Sequence, residues 1–166
     1  MAQLLAVHVT MALALTILLG VQCLGLARIR ASGTGGGAAA VPTSVVAAIP
    51  VLTVLVAVTG GALLGQGAHG GPWVGAGVFS SVVILASAVW TLVVLRSPAP
   101  ARAHRQRVLA AVQWGAPAFT LAAAYLMAAR PDTAEPALAP VVLAVAVTAT
   151  AYLRASSTNA ARHPSS

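Results

Sequence analysis

The chain has 166 residues, of which 59% are hydrophobic and only 7% are charged. Because soluble domains carry about 25% charged residues, a soluble fold of this size could not cover its surface with so few charges. The composition therefore excludes a soluble globular domain and indicates an integral membrane protein. The chain contains no lysine, and its net charge of +7 comes from arginines.

Five long apolar segments follow one another along the chain, and the fifth is the shortest. They cover approximately residues 4–27, 45–64, 73–95, 108–129 and 137–153. A run of about 18 apolar residues is long enough for a helix to cross a bilayer. The sequence therefore predicts an all-α, polytopic transmembrane helical bundle. We expect a four-helix membrane core in residues 1–131 and a fifth span with a cytoplasmic tail in residues 132–166.

The positions of the arginines predict the orientation of these spans. If the spans alternate in direction, the arginines after the first, third and fifth spans all lie on one side of the membrane. Only Arg130 lies on the other side, together with Asp132 and Glu135. Basic residues accumulate in cytoplasmic loops, so we expect the N-terminus outside and the C-terminus inside the plasma membrane. The positive charge is then a topology signal and does not indicate a nucleic-acid partner.

The fourth span carries a proline within the sequence W-G-A-P-A-F. In a membrane helix, neighbouring helices can satisfy the carbonyl that a proline leaves without a donor. Pro117 is therefore predicted to kink a packing helix, and a hinge for gating is the alternative. Ala111 and Gly115 have the small-xxx-small spacing that allows two helices to approach closely. Gly61 and Gly65 repeat this spacing in the second span and are predicted packing positions.

His8, in the first span, is the strongest candidate for a functional side chain. At 100° per residue it shares a helical face with Gln22, and such a polar stripe is expected to face the bundle interior. One interpretation is a neutral, hydrogen-bonded histidine near the membrane surface. The alternative is a haem or copper ligand that works with His69 of the turn after the second span, with Met11 as a further soft ligand.

The residues needed for catalysis are missing from the predicted spans. No Asp, Glu, Lys or Arg lies inside a span, and the only two carboxylates, Asp132 and Glu135, lie in a loop. The sequence shows no acid/base pair, nucleophile triad or phosphate-binding loop. The single cysteine, Cys23, excludes a disulfide within the chain. A non-enzymatic protein is therefore expected.

Three short motifs resemble a known family. They are the H-V sequence that begins at His8, the T-G-G of residues 59–61 followed by G-P-W at 71–73, and W-G-x-P-A-F with Y-L-M-x-x-R-P in the fourth span. Together they resemble a family of small bacterial integral membrane proteins of unknown function, itself distantly similar to copper-resistance D-like membrane proteins. The resemblance covers roughly residues 4–131. It implies a four-helix core to which the fifth span is appended, and it implies no defined activity.

The sequence leaves three functions open. The first is a non-enzymatic structural bundle that assembles with a membrane partner or with copies of itself. The second is a haem- or copper-handling redox component that uses His8. The third is an oligomeric transporter of a small neutral or apolar solute, for which the polar residues Gln22, Thr59 and Gln113 are the available contacts.

Overall fold

Five helices make up the computed structural model, which describes residues 2–31, 42–66, 70–97 and 105–161. The helices are α1 (Ala2–Ala31), α2 (Thr43–Gly65), α3 (Pro72–Arg96), α4 (Gln106–Ala129) and α5 (Ala134–Ala161). Each is long and apolar enough to cross a membrane, and no strand occurs in the described ranges. The predicted all-α fold is confirmed, and the chain is a multi-pass integral membrane protein.

The first four helices begin and end close to the predicted boundaries, but the fifth does not. The apolar segment was predicted to end near Leu153, whereas α5 continues to Ala161 and has 28 residues. The sequence R-A-S-S-T-N-A-A that follows Leu153 contains neither glycine nor proline. A helix can therefore continue through it after the apolar span has ended. The apolar part of α5, Ala134–Ala155, is the shortest of the five candidate spans, as predicted.

The helices form a ring of four with the fifth packed on its outside. In this ring α1 contacts α2 and α4, and α3 contacts the same two helices, while α5 lies along α4 and also touches α3. Residues Ala137, Val141 and Ala144 of α5 are buried in the main core cluster together with residues of the other four helices. The fifth helix therefore shares the main core and completes it.

The bundle has two ends, which are named here by a buried polar residue at each. The His8 end is where α1, α3 and α5 begin and where α2 and α4 end. The Gln113 end is where α1 and α3 end and where α4 begins. The main core cluster includes Leu15, Ile84 and Phe119, and a smaller cluster with Leu26 and Val94 lies toward the Gln113 end.

Candidate functional site

A groove extends from the His8 end to about the middle of the bundle. Its volume is about 620 Å³, which lies within the roughly 300–1,000 Å³ of sites that hold small ligands. Its walls come from α1, α2 and α3 and from the last turns of α4. On α3 the wall runs from Trp73 to Leu85, about 18 Å along the helix axis at a rise of 1.5 Å per residue. Half of a hydrocarbon core is about 15 Å thick, so the groove is about as deep as one leaflet.

The groove opens sideways, at the surface of the bundle. Its lining includes Leu13 of α1, Val54 and Val58 of α2, and Val78 and Val82 of α3. About half or more of each of these side chains is exposed. In a membrane this surface faces the lipid chains, so an apolar molecule could reach the groove without passing through water.

The hydroxyl groups in the groove are occupied by hydrogen bonds inside their own helices. Thr16, Thr53 and Ser81 each donate to the backbone carbonyl four residues earlier, at 2.9, 2.8 and 3.0 Å. Such bonds satisfy a hydroxyl where no water is present. The walls therefore present a mainly apolar surface and offer few free donors to a polar ligand.

Arg130 places a positive charge where the groove reaches the His8 end. It follows the last residue of α4 with a left-handed backbone (φ 45°), and its N–H donates to the carbonyl of Leu126 at 3.0 Å. The central carbon of its guanidinium lies 6.0 Å from the centre of the Trp73 ring, within the range of a cation–π contact. Among the described residues that line the groove, Arg130 alone carries a fixed charge.

His8 lines the groove and is hydrogen-bonded to α2. Only 6% of its surface is exposed, and its Nδ1 lies 2.8 Å from Oγ1 of Thr59. The Thr59 hydroxyl has one hydrogen, which it donates to the carbonyls of Leu55 at 2.8 Å and Val56 at 3.1 Å. A neutral imidazole protonated at Nδ1 can therefore donate to the Thr59 oxygen, which leaves the lone pair on Nε2.

A glycine of α2 makes room for this imidazole. A Cβ added at Gly60 would lie 3.2 Å from Cε1 of His8, closer than side chains usually pack. By contrast, a Cβ added at Gly61 or Gly65 would meet nothing within 4 Å. Within one chain, the close approach of α1 to α2 is thus made at Gly60, and the two glycines with the predicted packing spacing lie at open positions.

The predicted metal site around His8 includes His69, which lies outside the described residues. Met11 is partly buried and packs against the main core cluster. No group of three His, Cys, Asp or Glu side chains that could hold a metal occurs in the part of the chain that the structure describes. Asp132 and Glu135 are both exposed.

Two more polar contacts join α1 to the rest of the bundle. Gln22 donates from Nε2 to Oγ1 of Thr91 in α3 at 3.2 Å, and Arg30 donates from Nη1 to Oε1 of Gln113 in α4 at 2.7 Å. Gln22 and His8 are both buried, as their shared helical face predicts. With the His8 contact to α2, one face of α1 therefore makes a polar contact with each of the three other core helices. The Oε1 atom of Gln22 is buried and has no hydrogen-bond partner among the described residues.

The glycine of the fourth span lies in a close contact between α4 and α5. A Cβ added at Gly115 would lie 2.7 Å from Oγ1 and 3.0 Å from Cγ2 of Thr148 in α5. Pro117, two residues later, is partly buried inside α4, which runs without a break from Gln106 to Ala129. The glycine thus allows α5 to approach α4 closely, and the proline does not divide the helix.

Thr59, Gly60 and Arg130 contribute to the site, and their roles were not predicted. A signal for Thr59 was present in the sequence. His8 lies near the beginning of the first span and Thr59 near the end of the second, so antiparallel helices bring them to a similar depth.

No protein-family model matches this sequence, and no curated protein and no solved structure matches it either.

Proposed function

We propose that this protein is a non-enzymatic membrane bundle that acts by non-covalent assembly, and that its groove holds an apolar chain from the surrounding membrane. The observation that carries this proposal is the groove itself. It is about as deep as one leaflet, it opens toward lipid, and its hydroxyl groups are bonded within their own helices. These features favour an acyl chain over a polar solute, so they weigh against transport of a polar neutral solute.

The orientation inferred from the arginines belongs to the same proposal. In this orientation, the His8 end of the bundle and the end of the groove at Arg130 lie at the outer face of the plasma membrane. If a cysteine introduced after Arg154 reacted with an impermeant reagent in intact cells, the C-terminus would be outside and this orientation would be wrong. The haem or copper alternative would use His8, and no group of three His, Cys, Asp or Glu side chains that could hold a metal includes it within the described residues.

Trp73 makes the occupancy of the groove measurable, because it lines the groove and bromine atoms on an acyl chain quench indole fluorescence at short range. The protein is prepared in detergent with Trp90→Phe and Trp114→Phe, which leaves Trp73 as the only tryptophan. It is then titrated with a phosphatidylcholine that carries brominated chains. We expect quenching that saturates, as binding to a defined site requires.

Two glycines of α3 provide a matched pair of variants. A Cβ added at Gly77 or at Gly75 would meet nothing within 4 Å, but only Gly77 lines the groove. Gly77→Phe should fill the groove and remove the saturable quenching, whereas Gly75→Phe should leave it unchanged. Quenching that rises linearly without saturation, or that responds equally to both variants, would contradict the proposal.

A further inference from the structure

The groove has a charged end and an apolar body, and this polarity indicates what it binds. The fixed charge among its described lining residues, the Arg130 guanidinium, lies beside the Trp73 ring where α3 begins and α4 ends. The rest of the lining continues from there toward the middle of the bundle and is mainly aliphatic. A ligand that fits both parts needs an anionic group at one end and a long apolar chain behind it.

We propose that the groove is a binding site for one phospholipid with an anionic headgroup. The phosphate binds the Arg130 guanidinium, and one acyl chain extends along the groove past Val78 and Val82 toward Leu85. This assignment rests on the proposed function and adds to it the chemical class of the occupant.

Arg130 is placed to bind the phosphate of a ligand in the groove, and neither of the nearby carboxylates of this protein lines the groove with it. The guanidinium is exposed, and its N–H donors lie in a plane that can bind phosphate oxygens in pairs. Trp73 beside it is partly buried, as is typical of an aromatic ring at the headgroup level. Asp132 and Glu135 follow Arg130 closely in sequence, but neither lines the groove. The groove itself therefore presents a net positive charge to its ligand.

The depth of the groove and the hydrogen bonding of its hydroxyl groups within their own helices favour a lipid chain as the occupant. Its α1 wall runs from Leu5 to Thr16, which is about 16 Å at 1.5 Å per residue and matches one leaflet. The deepest hydroxyls, on Thr16 and Thr53, are bonded to their own helices at 2.9 and 2.8 Å. A transmembrane helix of a partner protein would be a different occupant, since a helix extends across both leaflets, whereas this groove ends near the middle of the bundle.

The test compares two headgroups on the same brominated chains in the protein whose only tryptophan is Trp73. Phosphatidylglycerol is anionic and phosphatidylcholine is zwitterionic. We expect half-maximal quenching at about fivefold lower concentration of phosphatidylglycerol, as one arginine near an anionic lipid surface provides. Arg130→Gln should remove this difference and leave the saturation with phosphatidylcholine unchanged. High salt should reduce the preference for phosphatidylglycerol in the protein that retains Arg130, and it should have no effect on Arg130→Gln.

Each outcome of this experiment leads to a different conclusion. Equal affinity for both lipids, or a preference that persists in Arg130→Gln, overturns the anionic-lipid assignment while the groove remains a chain-binding site. Failure of both lipids to saturate overturns the proposed function itself, and exclusion of lipid by a co-purified protein segment would identify the other occupant. Arg107→Gln, at the opposite end of the bundle where α4 begins, is the control for loss of one arginine, and it should keep the fivefold preference.

Discussion

Two sides of this bundle are built from similar small and aliphatic residues, yet one is closed and the other is open. In the seam between α4 and α5, Gly115 lies directly under Thr148, and the space for a Cβ is already taken. Along the groove, Gly61 and Gly77 have open space where a Cβ would be. A glycine in a membrane helix can therefore serve a close helix contact or leave room for another molecule.

The difference also shows how a bundle with few polar groups can remain specific. The seam is held by close packing, which stabilises helix pairs in lipid without a hydrophobic driving force. The side that carries the groove is fastened by single polar contacts, such as the bond of His8 to Thr59 at 2.8 Å. Such contacts fix the position of α1 while leaving the outer surface of the groove open.

The largest effect is expected from a methyl group added to the seam. In Gly115→Ala the new Cβ would lie 2.7 Å from the hydroxyl oxygen of Thr148, on a short side chain that cannot move far. Overpacking of this kind costs about 1–3 kcal/mol of the free energy of unfolding, even after the better helix propensity of alanine is counted. The loss should appear as a lower Tm in detergent.

Two variants check the cause of that loss. Gly77→Ala places the same methyl group in open space and should leave the Tm unchanged or slightly higher. Thr148→Ala removes the atoms in closest contact and should restore much of the stability when it is combined with Gly115→Ala. If the double variant were as unstable as Gly115→Ala alone, the seam would not be as tight as described.

A smaller effect is expected where α1 is fastened beside the groove. Thr59→Val keeps the shape of the side chain but removes the acceptor for Nδ1 of His8. Interhelical hydrogen bonds in membranes contribute on average about 0.6 kcal/mol and at most about 1.7 kcal/mol, so a loss in that range is expected. Thr16→Val is the matched control, because the Thr16 hydroxyl bonds only to its own helix. Equal Tm values for the two variants would show that the contact of His8 with Thr59 does not stabilise the bundle.

The sequence predicts where the helices of this protein lie along the chain better than it predicts which helices pack against each other. Long apolar runs locate all five helices, and a spacing of 100° per residue correctly places His8 and Gln22 on a buried face. The partner of His8 depends on which helix lies beside α1 at that depth, and a single sequence contains no direct signal for that arrangement.

The same limit explains why the small-xxx-small spacing gave different results at two places. In α2 and α3 the apolar residues surround the whole helix, so no polar face distinguishes the inside of the bundle from the lipid. The spacing alone does not show which glycine is in a helix contact. Gly115 packs against α5, whereas Gly61, with equivalent spacing, lies at an open position. The groove could not be predicted for the same reason, since its walls come from four helices.

The smallest effect on stability is expected at Pro117. This residue lies on α4 between the close contact with α5 and the turns that line the groove. It lies two residues after Gly115, on the helix whose last turns, from Ala124 to Arg130, line the groove. If close packing at Gly115 fixes the path of α4, Pro117→Ala should add at most about 1 kcal/mol of stability, through the regained backbone hydrogen bond. The quenching of Trp73 by brominated lipid should then be unchanged. A hinge at Pro117 makes the opposite prediction, because straightening α4 would move the turns that carry Arg130 and alter lipid binding without a matching loss of Tm.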